Sequence, residues 1–175
     1  TLSCVGAIFY WSPDEKRQLF TSLAQDGYKG SGDYGVFAFG VFNGQGANTS
    51  EANKSMHVVA RLSYPFEIGD QVVEPGVQAY AGKYEMMEGQ LSDGVKTNAD
   101  LNYADRRAAA SFVLYPKPLG IQAEYNIGKG PEFNTATDSI EVRKQHGGYF
   151  MISYLMKLKE DHVLMLSTCS YDIYD

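Results

Sequence analysis

GIQAEYNIG, residues 120–128, decides how the rest of the chain is read. Ile121, Ala123, Tyr125 and Ile127 alternate with Gln122, Glu124 and Asn126. Successive side chains of an extended strand point to opposite sides, so this period of two predicts a strand with one greasy and one polar face. A helix would scatter both sets around its axis.

The pattern repeats on either side of this stretch. In 56–64, Val58, Ala60, Leu62 and Tyr64 share one face while His57, Arg61 and Ser63 share the other, with Val59 as an apolar intruder. In 107–115, Ala108, Ala110, Phe112 and Leu114 form a wholly apolar face against a mixed one of Arg107, Ala109, Ser111, Val113 and Tyr115. Further strands are predicted over 5–11, 34–43, 76–86, 147–156 and 162–171, giving about eight in all. Past the first crossing the connections alternate in length. The short ones are 65–73, 116–120 and 157–161, and the longer polar ones are 44–54, 87–105 and 128–140. Short turns at one end and long loops at the other fit an antiparallel barrel. One segment reads as helical: Ser12-Pro13-Asp14-Glu15 offers an N-cap and a first-turn proline, Leu19, Phe20 and Leu23 follow at helical spacing, and Gly27 can stop it. Residues 1–175 are thus expected to form one all-β barrel domain, with 12–27 as a helix-containing turn and 162–175 as an atypical end.

Composition narrows the class. Thirteen Tyr and nine Phe against one Trp, with eighteen Gly, favour strands and turns over helix bundles. No apolar run approaches the roughly 18 residues a membrane helix needs, and the first residues lack a signal-peptide pattern. A net charge of −6 without a basic stripe argues against nucleic acid. Cys4 and Cys169 lie near opposite ends and match no CxxC, zinc or disulfide-framework spacing, and neither a metal nor a cofactor is expected. His57, His146 and His162 coexist with serines but in no GxSxG or HExxH arrangement, and Gly128-Lys129-Gly130-Pro131 does not open a helix as a phosphate loop would. An enzyme is not expected.

Alternation alone leaves open which face meets water. A small soluble barrel holding an apolar ligand buries its apolar rows, whereas a membrane barrel turns them outward. Aromatic residues near predicted strand ends (Tyr10, Trp11, Phe42, Tyr64, Phe66, Tyr84, Tyr103 and Tyr115) suit the interfacial girdles of a membrane barrel. A small closed outer-membrane barrel of structural role is a further alternative.

Several stretches carry a family resemblance: YGVFAFGVFNGQGAN (34–48), HVVARLSYPFEIGD (57–70), EPGVQAYAGKYE (74–85), RRAAASFVLYPKPLGIQAEYNIGKGPEFN (106–134) and IEVRKQHGGYFMISYLMKLK (140–159). Together they resemble the C-terminal half of the phosphate-selective porin O and P family. The resemblance covers most of 5–161 and is most specific in the FVLYPKPLGIQAEYNIGKGPE hairpin and the HGGY strand start. It implies a Gram-negative outer-membrane channel for small hydrophilic solutes, anions such as phosphate among them, built as a homotrimer of barrels of about sixteen strands. This chain would supply roughly half of one barrel, leaving edge strands unpaired. The resemblance fades after Asp161, where the family would close on a terminal aromatic strand, so a truncation or altered reading frame is expected there.

On that reading, parity selects the residues that line the pore: His57, Arg61, Ser63, Arg107, Ser111, Gln122, Glu124 and Asn126. The lipid bilayer meets Val58, Ala60, Leu62, Ala108, Ala110, Phe112, Leu114, Ile121, Ala123, Tyr125 and Ile127. Arg61 and Arg107 are the candidates for contacting anions, since a guanidinium offers a fixed fork of donors. The competing role for both is to pair with carboxylates and hold the wall in shape. Glu51, Glu88, Asp93, Asp100, Asp105, Glu132 and Asp138 are expected to form an acidic, solvated loop surface.

Overall fold

A computed structural model of the chain describes residues 5–29, 35–43, 55–87, 89, 91–159 and 162–174. Its elements in chain order are β1 (Gly6–Trp11), α1 (Asp14–Gln25), β2 (Phe37–Phe42), β3 (His57–Ser63), β4 (Phe66–Ile68), β5 (Gln71–Glu85), β6 (Asn102–Leu114), β7 (Leu119–Asn134), β8 (Ser139–Lys159) and β9 (His162–Tyr174). The strands form one antiparallel sheet in the order β1-β2-β3-β5-β6-β7-β8-β9, with β4 a short flap on the start of β5. The fold is all-β and of the barrel type, but the sheet is open: among the described residues β9 does not pair with β1.

Three connections differ from the sequence reading. The expected loop 128–140 is mostly strand, because β7 and β8 stay in register from Leu119↔Tyr154 to Asn134↔Ser139 and leave only 135–138 as a turn. Glycine and proline in GKGPE suggested a break. The last β6 partner on β7 is Lys129, however, so Pro131 lies where one edge of β7 faces no strand and a missing N–H is tolerated. The turn 65–73 is itself a small hairpin, in which Gly69 (φ +61) supplies the backbone of a two-residue turn between β4 and β5. Loop 87–105 is shortened by β6 and docks on the β7–β8 tip, where Lys96 N–H donates to Asp138 O (2.7 Å) and Ile140 N–H to Lys96 O (2.9 Å). The expected loop 44–54 lies outside the described residues.

Helix α1 begins at Asp14, one residue later than the cap motif suggests. Pro13 occupies the cap position without a side-chain hydrogen bond, and Ser12 Oγ is buried with no hydrogen-bond partner among the described residues instead of capping. At the other end Gly27 adopts φ +74, which lets Tyr28 N–H reach back to Leu23 O (2.9 Å) and closes the helix. The Leu19, Phe20 and Leu23 stripe packs on Val36, Val72 and Tyr115, with Tyr28, Tyr64 and Val113 around them. This small core sits at the short-turn end of the sheet. It is the only buried hydrophobic cluster among the described residues.

Candidate functional site

Antiparallel register carries one strand's alternation across its neighbours, because residues paired across a ladder point to the same side. One row runs Phe37↔Leu62, Leu62↔Val77, Val77↔Ala110, Ala110↔Tyr125 and Tyr125↔Gly148. The next runs Phe39↔Ala60, Ala60↔Ala79, Ala79↔Ala108 and Ala108↔Ile127. Toward the turns, Phe112↔Ala123↔Phe150 and Leu114↔Ile121↔Ile152 continue the same face. Of the eleven apolar residues singled out from sequence, Val58, Leu62, Ala108, Ala110, Phe112, Tyr125 and Ile127 are exposed, and Ala60, Leu114, Ile121 and Ala123 are half-buried. Leu62, Val77, Tyr125 and Ile127 are each at least 50 % exposed, so no layer of the described residues covers this face. A water-soluble protein would hide it. The face frays at β9, where Thr168 and Ser170 pair with Ile152 and Phe150.

The opposite face is crowded and polar. His57 and Ser63 are buried, Arg61, Ser111, Gln122, Glu124 and Asn126 are half-buried, and Arg107 is exposed. Glycines make the room: a Cβ on Gly76 would stand 2.7 Å from Ser111 Oγ, and one on Gly82 2.7 Å from His57 Nδ1.

Two charged groupings organise this face. Near the turns, Glu74 is 3 % exposed and accepts from Ser63 Oγ, Tyr115 OH, Lys29 Nζ (2.8 Å) and, more loosely, Arg61 (3.4 Å). Lys29 also donates to Tyr115 OH (3.0 Å), tying the chain that leaves α1 to the sheet. Burial, and after it the bond to Glu74, pushes the Tyr115 phenol well above its ordinary pKa, so it stays a donor. Toward the loops, Arg107 grips Asp105 with two donors (2.9 and 3.2 Å) while its side chain remains 55 % exposed. Between them Glu124 accepts from Gln78 (3.0 Å) and Asn126 (2.9 Å), and His57 Nδ1 lies 2.7 Å from Tyr80 OH. With Glu124 between the two groupings counted in, the three cations Lys29, Arg61 and Arg107 face the three carboxylates Glu74, Asp105 and Glu124.

Some expectations need correcting. Asp105 and Glu132 are strand residues paired with Arg107 and Arg143 (3.1 Å), not loop acids, and Glu51 and Glu88 lie outside the described residues. Several aromatics assigned to an outer girdle share the polar face instead: Phe42 pairs with His57, Tyr84 with Tyr103, and Tyr115 is buried under α1. Trp11 and Phe66 do belong to the apolar face, at its turn end. Glu74, Lys29 and Tyr115 were missed. Parity carried two residues below Gly76 would have found Glu74, whereas Lys29 lies in no periodic segment.

Comparison with known proteins adds one decisive observation: the model of the phosphate-selective porin O and P family matches residues 16–160. The chain belongs to that family. This porin is therefore of a bacterial outer-membrane, channel-forming family and not of an enzyme family. The match runs from within α1 through β8 and leaves β1 and β9 outside, the latter being where the apolar face frays. No curated protein and no solved structure matches the chain.

Proposed function

We propose that the apolar face of this porin meets lipid, that its polar face lines an aqueous channel, and that small hydrophilic solutes, anions such as phosphate included, diffuse passively past Arg61 and Arg107. The reading rests above all on the inverted burial of the two faces. Large apolar side chains stand exposed on one, while on the other polar side chains interlock. A bilayer has no water to satisfy open backbone groups, so a sheet of this kind works there as barrel wall. The charge pairing assigns the two arginines different weights. Arg61 is turned toward buried Glu74, whereas Arg107 spends its two bonds on Asp105 and still presents half its side chain to solvent.

A bound carboxylate cancels most of an arginine's field beyond a Debye length, roughly 8 Å at physiological ionic strength, but a solute in the passage comes closer than that. Reversal potentials across a salt gradient in planar bilayers test this. Arg107→Gln in the intact porin should shift selectivity toward cations more than Arg61→Gln does. If neither moves it, the arginines serve only to hold the wall.

A further inference from the structure

We propose that Arg106, Lys129 and Lys144 bind the phosphate groups of a glycolipid of the outer leaflet, whose acyl chains lie along the apolar face beneath them. The register sets the three side by side, Arg106↔Lys129↔Lys144, on three neighbouring strands and on the apolar face. All three are exposed, and none has an ion-pair partner among the described residues. Like charges directly opposite each other on paired strands repel, so an uncompensated row of three calls for an anion. The row also marks a boundary. On the turn side of it the face is apolar for about nine residues of β7, from Leu119 to Ile127, close to the length of strand that crosses a bilayer. The next residue on that face is Lys129, which puts the cations at head-group level at the loop end.

The cavity there fits one occupant. An open groove of about 510 Å3 joins Arg106, Lys129 and Lys144 to Ala108, Tyr125 and Ile127, and Tyr125 OH lies 3.1 Å from His146 Nδ1 at its side. A free phosphate would use the cations and leave the apolar floor bare. A lipid with a phosphorylated saccharide head group uses both, and the β7–β8 arm, which adds Pro131, Phe133 and Val142 on the same face beyond the row, stands where such a head group projects. Arg107 also borders the groove, but its strand parity directs its side chain to the other face, where it bonds Asp105, and it is not counted among the three cations.

This inference rests on the outward orientation of the apolar face, and its test separates the two. The intact porin, purified in detergent, is titrated with diphosphoryl lipid A, with the same lipid after phosphatase treatment, and with inorganic phosphate. Binding is read by native mass spectrometry. The parent should bind the diphosphoryl lipid, and the triple variant Arg106→Gln, Lys129→Gln, Lys144→Gln should bind it roughly a hundredfold more weakly, since each cation near an anionic head group contributes about a factor of ten or less. Arg143→Gln, on the other face, should bind like the parent, and Lys129→Gln alone gives a partial loss if the triple variant folds poorly. Equal binding by parent and triple variant overturns the proposal, as does inorganic phosphate binding the row as tightly as the lipid. Trp11, the one tryptophan in this sequence, stands 54 % exposed on the apolar face. Quenching of its fluorescence by brominated phospholipid in vesicles reports the orientation independently. Quenching without phosphate-dependent lipid binding sinks this proposal alone, whereas no quenching sinks the channel-wall reading together with it.

Discussion

The two charged groupings of the polar face use the same chemistry to opposite ends. Near the turns, Glu74 is enclosed, with side chains from β3, the β6–β7 turn and the segment after α1 all spending their donors on it. Nearer the loops, Asp105 and Arg107 are neighbours on one strand, two residues apart, and the arginine side chain keeps more than half its surface in solvent. A carboxylate satisfied by four groups from distant parts of the chain can lock a turn region but has nothing left for a solute. An ion pair made within one strand orders little and leaves a cation open to whatever passes. On the proposed channel reading, burial of the cation, more than its identity, would separate a structural pair from one able to act on a permeating ion.

That contrast breaks most visibly at Glu74. Glu74→Ala should cost about 3–5 kcal/mol, because it strands Lys29 and Arg61 in a partly buried site without their anion. Urea unfolding of the intact porin from lipid bilayers measures it, and a loss below about 1 kcal/mol would mean the cluster is ornamental. Next in size is the packing that holds α1 over the same cluster. Leu23 is 1 % exposed in the small core, so Leu23→Ala should destabilise by about 2–4 kcal/mol and make the segment around Lys29 more susceptible to protease. If the helix stays protected, the Lys29–Glu74 bond alone anchors it. The smallest effect on stability belongs to the loop side: Arg107→Gln should cost about 1–2 kcal/mol, because Asp105 is buried but its partner is more than half exposed and glutamine can still donate to it, while still altering ion selectivity. A loss as large as that of Glu74→Ala would make Arg107 a wall-holding residue and erase the distinction.

Much of the architecture could be read from residue order. The strands centred on 58–62, 108–114 and 121–127 were plain from alternation, as was the helix with its Leu19, Phe20 and Leu23 stripe and its stop at Gly27. Errors gathered where local signals conflict with pairing. Gly130 and Pro131 look like a loop, yet β8 matches them residue for residue. Asp105 looks like a loop acid, yet it closes on Arg107 inside β6. The aromatics at 42, 84 and 103 look like membrane anchors, yet their parity places them on the polar face.

What the sequence determined by itself is therefore the chemistry of each strand's two sides, since alternation is a property of the extended backbone and needs no partner. Register belongs to the tertiary structure alone, because the pairing of one strand with another depends on every contact along both. Register and packing bring Lys29, Ser63, Glu74 and Tyr115 together from segments as far as 86 residues apart, and register alone lines up Arg106, Lys129 and Lys144. None of these groupings has a local signature, because each member is an ordinary polar residue until the sheet sets it beside the others.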